Sequence, residues 1–473
     1  MRIPAALLIV SSAFAGDQYL DTVRRFADTM IEHGTDRYGV EHSPLFAAML
    51  DLETLRLPVE SVPPEFYRSR NRQVQSIGFG LPPVPSGIRP GDRAPFGNNI
   101  EHDFSLLRAM YELSVLTGDR RYEQHADRYL AFWLKRCQSP ETGLMASGEH
   151  NSWDFVRERA HSDVHEIYRP FPFWDKLYAI DPYRALRIAE GLWMSQIADK
   201  RTGDFNRHAG YRVHSPARGA ATGAAFPRHA AFYIWAFANA YVESRDPKYV
   251  ERIEVLIESR TALRLQPWSL LVNAGDFRPA EAFDPALRIL LWKAAELVPA
   301  RREAWRNAVR ALDDRAFSHE APAPRAELWR MAYGQATASS VALRFLTQYR
   351  QQQEPRFLRE AAAIADDYVA AGWPADTAHL WPRAAAQVIS LMAALSSDPA
   401  VPKEKRQIYR KCAIEVAGRS ISLFAYHGLF RAEGSARHYE AITGADDLVY
   451  ALLQLHCEIF RPEHRMGHID INL

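Results

Sequence analysis

Apolar side chains recur at three- and four-residue steps along most of this chain, and this period constrains the fold more than any other feature. In Phe104–Thr117, five leucine and methionine side chains fall on one helical face. Alternating apolar and polar runs, which would predict strands, are nearly absent. We therefore expect an all-α fold. The same period predicts further helices over Ala230–Tyr241, Ala286–Leu297, Ala338–Leu346, Ala384–Leu395 and Asp447–Ile459.

Four predicted helix starts share an acidic residue that is followed within three positions by an aromatic one, mostly with proline between them. Acidic side chains cap helices, and proline fits the first helical position. Asp119, Asp181 and Asp246 lie 62 and 65 residues apart, and Glu354 follows later. Such a unit holds two helices and a loop. We expect residues 16–473 to form a single domain, a closed (α/α) toroid or barrel of six to seven helical hairpins, with an open solenoid as the alternative.

The sequence also indicates one long loop and two helix starts. Arg72–Asn99 contains five prolines and is predicted to be a loop on one rim of the toroid. Asn99 is then expected to cap a helix that begins with Glu101-His102-Asp103, and Arg228-His229 is expected to open another helix. A contact with a sugar is the alternative role for both clusters.

The N-terminal residues have the pattern of a secretory signal peptide. Arg2 precedes the apolar run Ile3–Val10, and an Ala-Phe-Ala sequence stands before Gly16, so residues 1–15 form the predicted signal peptide. An apolar first helix is the alternative. No later segment approaches the length of apolar run that crosses a bilayer. We therefore predict a periplasmic or secreted protein with no membrane span.

The charge balance excludes nucleic acid as a main partner. The chain has 58 Lys and Arg against 57 Asp and Glu, and it has no basic block that would bind phosphates. It contains 11 Trp and 20 Tyr, residue types that often line sugar sites. Cys137, Cys412 and Cys457 are too widely spaced for a disulfide framework, so free thiols are expected and one disulfide is the alternative. The sequence gives no indication of the oligomeric state.

Polar and aromatic residues are densest between His150 and His229. The loop-like segments 148–154, 163–174 and 204–211 supply histidine and glutamate side chains there. Neutral imidazoles with one carboxylate suit Mn, Fe, Ni or Zn better than Ca or Mg. The spacing matches no short metal motif. These histidines could equally cap helix ends or pair with nearby acidic side chains.

Several segments resemble polysaccharide lyase family two, the pectate lyases that fold as an (α/α) toroid of seven hairpins. The likeness extends over residues 20–240 and is faint beyond, and its motifs keep the order and separation of the family. The segments that carry it are His33–Gly39 with Ser43–Phe46, Phe104–Tyr122, Val164–Glu166 with Phe171–Asp175 and Asp181-Pro182, and Asn206–Tyr211.

The resemblance implies one divalent transition-metal ion, Mn before the others, bound by two histidines and a glutamate. The matching positions are His150, Glu166 and His208. It implies Arg207 as the Brønsted base and a second catalytic arginine in a later helix, for which Arg330 is the best match. The chain departs from the family at this last position. No other cofactor is implied.

The activity that the resemblance implies is β-elimination on pectate or oligogalacturonate, an acidic polysaccharide or oligosaccharide, with a 4,5-unsaturated product. Residues 16–473 would then be a catalytic domain. A metal ion on the uronate carboxylate would acidify the C5 proton, and neighbouring cations would favour the neutral guanidine that a base needs. Arg207 would alternatively bind the uronate carboxylate.

Two other functions stay open. A glycoside hydrolase on an (α/α) toroid, acting on oligosaccharides with uronic acids, would use a carboxylate pair from Glu149, Asp154, Glu166 and Asp204. A non-catalytic toroid that binds carbohydrate would leave the three predicted metal ligands apart in the fold. Convergence of those ligands would favour the lyase.

Overall fold

A computed structural model describes residues 18–59, 79–214, 227–263, 285–319, 328–334 and 337–469. The predicted signal peptide, residues 1–15, lies outside them. Contacts divide the chain into two compact units. Unit 1 comprises the described residues of Met1–Ala126, Arg325–Tyr349 and Glu354–Leu473, and unit 2 those of Asp127–Pro324 and Arg350–Gln353. The single domain over residues 16–473 stays a prediction.

Helices form most of the described chain. In order they are α1 (18–29), α2 (Ile100–Thr117), α3 (Arg121–Arg136), α4 (Trp174–Ile180), α5 (Pro182–Gln196), α6 (Pro227–Ser244), α7 (Lys248–Leu263), α8 (Pro285–Leu297), α9 (Arg302–His319), α10 (Ala338–Gln352), α11 (Pro355–Ala371), α12 (Pro382–Ser397), α13 (Lys403–Phe424) and α14 (Ala445–Phe460).

The strands are only two or three residues long. They are β1 (Met49–Asp51), β2 (Gly97–Asn98), β3 (Trp153–Asp154), β4 (Arg159–Ala160), β5 (Val164–His165), β6 (Ile197–Asp199), β7 (Asp204–Phe205), β8 (Ala209–Gly210), β9 (Ala425–Tyr426), β10 (Leu429–Phe430) and β11 (His438–Glu440). In unit 1, β1 pairs with β11 and β9 with β10. In unit 2, β3 pairs with β4, β5 with β8 and β6 with β7, all antiparallel.

All six helices predicted from the apolar period lie within observed helices, and the all-α fold class is confirmed. In unit 1, α12 is buried over residues 382–395 and α14 over 445–457. The neighbouring helix α13 buries a single stripe, which includes Tyr409, Ala413, Val416 and Phe424. Helix α12 packs against both α13 and α14, and α14 packs against α2.

Unit 2 repeats this arrangement of inner and outer helices. The buried helices α6 and α8 pack against each other, while α7 packs on α6 and α9 packs on α8. A helix that is apolar all round needs cover on every side, whereas one with a single stripe faces water on the other. Both units are therefore built from (α/α) hairpins. Closure of six to seven hairpins into one ring stays a prediction.

The predicted helix starts behave as the capping argument requires, with one exception. The carboxylates of Asp119, Asp181 and Asp246 each accept a hydrogen bond from a backbone N–H two or three residues on. Glu354 precedes α11 without such a bond, because its longer side chain pairs with Arg356 instead.

The loop and cap predictions near residue 100 are also confirmed. Residues 79–99, the described part of the predicted loop, contain a short 3-10 turn and β2 but no α-helix. The Asn99 side chain accepts a hydrogen bond from the Glu101 N–H at the start of α2. Arg228 and His229 lie in the first turn of α6, as expected.

The three cysteines are free. No helix in the described ranges is long and apolar enough to span a bilayer.

A buried ion pair ties the proline-rich loop of unit 1 to its sheet. The Arg93 guanidinium donates two hydrogen bonds of 2.7 and 2.8 Å to the Glu440 carboxylate on β11, and both side chains are buried. The His438 imidazole lies 3.0 Å from the same carboxylate. Burial raises the pKa of Glu440, but Arg93 and His438 outweigh it and lower the pKa to about 2. The ionised carboxylate is therefore needed to stabilise the buried arginine.

We expect Glu440→Gln to lower the free energy of unfolding by about 3–5 kcal/mol at neutral pH, because it leaves Arg93 buried without its charge partner. The Glu440 pKa is about 2 in the fold against a reference of 4.5. The stability it contributes is therefore full above pH 4.5 and lost as the pH falls toward 2. Urea denaturation at several pH values measures the difference between the variant and the wild type.

That difference should shrink as the pH falls from 4.5, and a difference independent of pH would contradict the argument. Glu415→Gln is the matched control, because Glu415 pairs with Arg419 at 3.2 Å with both side chains about half exposed. It should cost less than about 1 kcal/mol.

Candidate functional site

The register of two short strands brings the predicted ligands Glu166 and His208 face to face. In the ribbon of β5 and β8, Val164 pairs with Gly210 and His165 with Ala209. One further step along the ribbon places Glu166 opposite His208, and their Oε2 and Nε2 atoms are 3.2 Å apart. Side chains alternate between the two faces of a strand. His165 therefore points the other way, with its Nδ1 3.0 Å from the Gln196 side-chain nitrogen.

The third predicted ligand comes from a loop that passes very close to β5. His150 follows Gly148, whose φ of +109° is one that only glycine adopts freely. A Cβ on Gly148 would lie 1.7 Å from the Glu166 carbonyl oxygen, so the loop can approach only because this residue has no side chain. The His150 Nε2 lies 3.6 Å from the Glu166 Oε2. Asn151 then fixes the loop by accepting the N–H groups of Ser152 and Ser162.

His150, Glu166 and His208 each offer one ligand atom, and these atoms lie within 4.8 Å of one another. The Glu166 Oε2 and His208 Nε2 atoms are both buried, and neither makes a hydrogen bond of acceptable geometry. Bonds of about 2.1–2.2 Å at angles of about 90–110° separate neighbouring ligand atoms by about 3.0–3.6 Å. The contacts of 3.2 and 3.6 Å to Oε2 match these separations. The donor set therefore fits a divalent transition-metal ion.

The Glu166 carboxylate is fully buried, and its two oxygens have different surroundings. The His229 Nε2 donates to Oε1 at 3.0 Å, and an Arg207 guanidinium nitrogen donates to the same oxygen at 3.3 Å. Oε2 instead faces His208 and His150. Burial raises the pKa of Glu166, but the contacts with His208, His229 and Arg207 outweigh it and hold the pKa well below its usual range. The carboxylate is therefore ionised, as a metal ligand must be.

Burial also favours the ligand form of His150. Removal from water lowers its pKa, and it outweighs the opposing effect of Glu149 and Glu166. A neutral imidazole keeps a lone pair on one ring nitrogen, and that lone pair binds metal.

Arg207 lies against both acidic side chains of the cluster. Its Nη1 donates to the Glu149 Oε2 at 3.2 Å and to the Glu166 Oε1 at 3.3 Å. Asn206 orients this segment, because its side chain accepts the His208 N–H at 2.9 Å. The charged side chains Glu149, Glu166 and Arg207 alone sum to −1, without counting Arg228, which also acts on His229. A bound divalent cation would change this to +1.

The predicted second arginine has a different setting. Arg330 is exposed and belongs to unit 1, whereas the cluster belongs to unit 2. The resemblance implies an arginine in a helix, but residues 328–334 form no helix. That part of the expectation is wrong, and the catalytic role of Arg330 stays a prediction.

The other acidic candidates differ in availability. Asp154 holds the turn between β3 and β4, since its Oδ1 accepts the N–H groups of Val156 and Arg157. Asp204 lies on β7. Glu149 is the one that joins Glu166 at the arginine.

Sequence reasoning missed His229, which is fully buried and contacts Glu166. It was expected to open a helix, which it does, with a contact to a sugar as the alternative. Its one signal is a histidine in the first turn after Pro227, and nothing in the linear spacing joins it to Glu166. Gln196 was missed as well. Its side chain contacts His165, and its carbonyl accepts the Asn206 N–H, so it joins the two segments that carry the ligands.

Residues 88–226 match the sequence family described as periplasmic pectate lyase. The pectate disaccharide-lyase of Dickeya dadantii (strain 3937) is 25% identical over 134 residues, which cover 27% of this chain and 24% of that protein. This chain thus aligns with about a quarter of that curated relative. The resemblance to pectate lyases is confirmed over this region, which contains His150, Glu166, Arg207 and His208 but not His229 or Arg330.

Solved structures resemble the chain at low identity. D-mannose isomerase is 12% identical with a TM-score of 0.45, over 95% of this chain and 99% of that one. The α-1,6-mannanase of Salegentibacter sp. HEL1_6 is 10% identical with a TM-score of 0.44, over 92% and 99%. A polysaccharide lyase is 11% identical with a TM-score of 0.41, over 93% and 53%.

We expect Gly148→Ala to destabilise the protein by more than about 3 kcal/mol, the upper end of backbone strain alone, because the new Cβ must displace the Glu166 carbonyl. It should also weaken metal binding, since that displacement moves the Glu166 side chain. Urea denaturation in EDTA and titration with Mn²⁺ measure the two effects.

Gly118→Ala is the matched control. Gly118 also has a positive φ, +74°, but a Cβ there would meet no atom within 4 Å. It should cost only about 1–2 kcal/mol and leave metal binding unchanged. Equal losses in the two variants would refute the close approach.

Proposed function

We propose that this chain is a polysaccharide lyase that cleaves pectate or oligogalacturonate by β-elimination and depends on one divalent transition-metal ion, Mn before the others. The observation that carries the proposal is the convergence of His150, Glu166 and His208 beside Arg207. These four residues lie within the region that matches the periplasmic pectate lyase family. The match supports the class of reaction, and the donor set supports the metal.

His150, Glu166 and His208 would hold the ion. When bound, a divalent cation there supplies Lewis-acid polarisation of the uronate carboxylate, which acidifies the C5 proton. Arg207, in its neutral form, takes that proton. The C5–H electron pair becomes the C4=C5 double bond while the C4–O4 bond breaks. Water protonates the departing O4, and the resulting hydroxide takes the proton back from Arg207.

The charge of the cluster supports an acidic substrate. The carboxylate of Glu166 faces the two predicted histidine ligands, and its negative charge favours a divalent cation between them. A bound divalent cation would add two positive charges to the cluster and would attract the uronate carboxylate. A neutral sugar has no carboxylate, so a bound cation would not attract it in this way.

Arg207 has a second possible role, which is to bind the uronate carboxylate. Its guanidinium is the planar fork that suits a carboxylate, and lysine would be a poorer substitute there. The two roles differ in kinetics. Loss of the base lowers kcat, whereas loss of a substrate contact made equally in the ground state raises KM.

The structure favours elimination over hydrolysis at this cluster. A retaining glycosidase needs two carboxyl groups about 5–5.5 Å apart with the glycosidic bond between them. Glu149 and Glu166 instead both pair with the Arg207 Nη1, at 3.2 and 3.3 Å, and Glu166 also faces the two predicted histidine ligands. The hydrolase is therefore the second candidate. A non-catalytic toroid would not need the three ligands to converge.

The family description also supports the proposed location. The matching family is described as periplasmic. A cleaved signal peptide over residues 1–15 and a periplasmic or secreted enzyme are part of the proposal.

We expect the protein to raise the ultraviolet absorbance of polygalacturonate solutions with Mn²⁺ present, as unsaturated uronate forms, and EDTA to abolish the rise. Arg207→Lys should lower kcat by at least about 10²-fold with KM little changed if Arg207 is the base. Arg212→Lys is the matched control, because Arg212 pairs with Asp163 on the exposed surface. It should retain activity.

Other outcomes would change the proposal. New reducing ends without an absorbance rise would replace elimination by hydrolysis. A raised KM with unchanged kcat in Arg207→Lys would assign Arg207 to carboxylate binding. Full activity in EDTA would contradict the proposed metal dependence.

A further inference from the structure

His229 reaches the cluster from outside the region that matches the pectate lyase family. It lies in the first turn of α6 and is completely buried, while its ring packs edge-on to Phe232 with centroids 5.6 Å apart. Its Nε2 is 3.0 Å from the Glu166 Oε1. An ionised carboxylate can only accept, so Nε2 carries the proton of this hydrogen bond. The imidazole is thus a fixed donor on the rigid frame of the helix.

This donor acts on one oxygen of Glu166 and not on the other. Oε1 receives hydrogen bonds from both His229 and Arg207, which hold it on the side away from the other two ligand atoms. Oε2 makes no hydrogen bond of acceptable geometry and faces the histidine ligands. Rotation of the carboxylate would break two charge-assisted hydrogen bonds inside a buried pocket.

We propose that His229 is a positioning residue that fixes the Glu166 carboxylate so that Oε2 alone is offered to the metal ion. Residues that hydrogen-bond to a metal ligand set the orientation of that ligand. Removing them lowers the metal affinity by about 10–100-fold. The inference rests on the proposed function, because it assumes that the site binds a metal ion. It adds a residue that lies outside the matched region and outside the set of three converging ligands.

The test compares variants that keep or lose the donor. Glutamine can place its side-chain N–H near the position of the histidine Nε2, whereas asparagine is too short and leucine has no donor. We expect His229→Asn and His229→Leu to bind Mn²⁺ and Co²⁺ about 10–100-fold more weakly by calorimetric titration. His229→Gln should stay within a few-fold of the wild type. The visible spectrum of bound Co²⁺ should change in the first two variants only.

A matched control separates this effect from the loss of a buried histidine. His125 on α3 is also buried, and its Nε2 lies 3.0 Å from the Pro44 carbonyl oxygen in unit 1. His125→Asn should leave both affinities unchanged. Thermal melting in EDTA establishes which variants fold without metal. If His229→Leu does not fold, the comparison of asparagine with glutamine decides.

The outcomes distinguish the inference from the function on which it rests. A wild type that binds neither ion overturns the metal-dependent function and this inference together. If the wild type binds the ions and all three His229 variants bind them with the wild-type affinity, only the inference is overturned. Equal losses in the glutamine, asparagine and leucine variants also overturn it, because ring shape and not the donor would then matter.

Discussion

The buried carboxylate of Glu166 is the constraint on which the site depends. A carboxylate removed from water stays charged only where donors or cations replace its hydration. Here His229 and Arg207 supply the donors on one oxygen, and the two predicted histidine ligands face the other. The pKa of Glu166 is consequently held well below its usual range despite complete burial. These neighbours come from three separate segments of unit 2, at His150, at Arg207-His208 and at His229, so the anion joins segments that are distant in sequence.

The helices of unit 2 explain why such a site can be held rigidly by short irregular segments. Helix α5 ends at Gln196, whose side chain and carbonyl contact His165 and Asn206 on the segments that carry the ligands. Helix α6 begins two residues before His229. Packed helices thus hold the end of the ribbon of β5 and β8 that carries Glu166 and His208, and a two-residue ladder suffices to set the register of these two residues. A ribbon of this length would not be stable alone.

The sequence predicts well whatever depends on local period and local chemistry. Six helices followed from apolar spacing, and Asn99 and Asp181 followed from capping preference, because each involves atoms a few residues apart. The ligand set came from a family resemblance, since no spacing rule joins His150 to His208. Nothing in the linear spacing of the sequence joins His229 to Glu166 or Arg93 to Glu440. Both contacts depend on how distant segments pack. The expected helix around Arg330 was wrong, in the part of the chain where the resemblance was faint.

Glu166 contacts Arg207 through one carboxylate oxygen and faces the candidate metal position with the other. It therefore links the base and the metal ion of the proposed mechanism. A carboxylate that binds an ion through Oε2 donates charge toward it, and Oε1 then becomes a weaker acceptor for the arginine. The same arginine also contacts Glu149, which has no part in the ligand set, so it keeps one acidic partner when the other binds metal. With a divalent cation bound, Glu149 would hold the guanidinium in place against repulsion by that cation. In the proposed lyase, Glu149 thus has a role that a hydrolase mechanism would not need, and its contact with the Arg207 Nη1 serves that role.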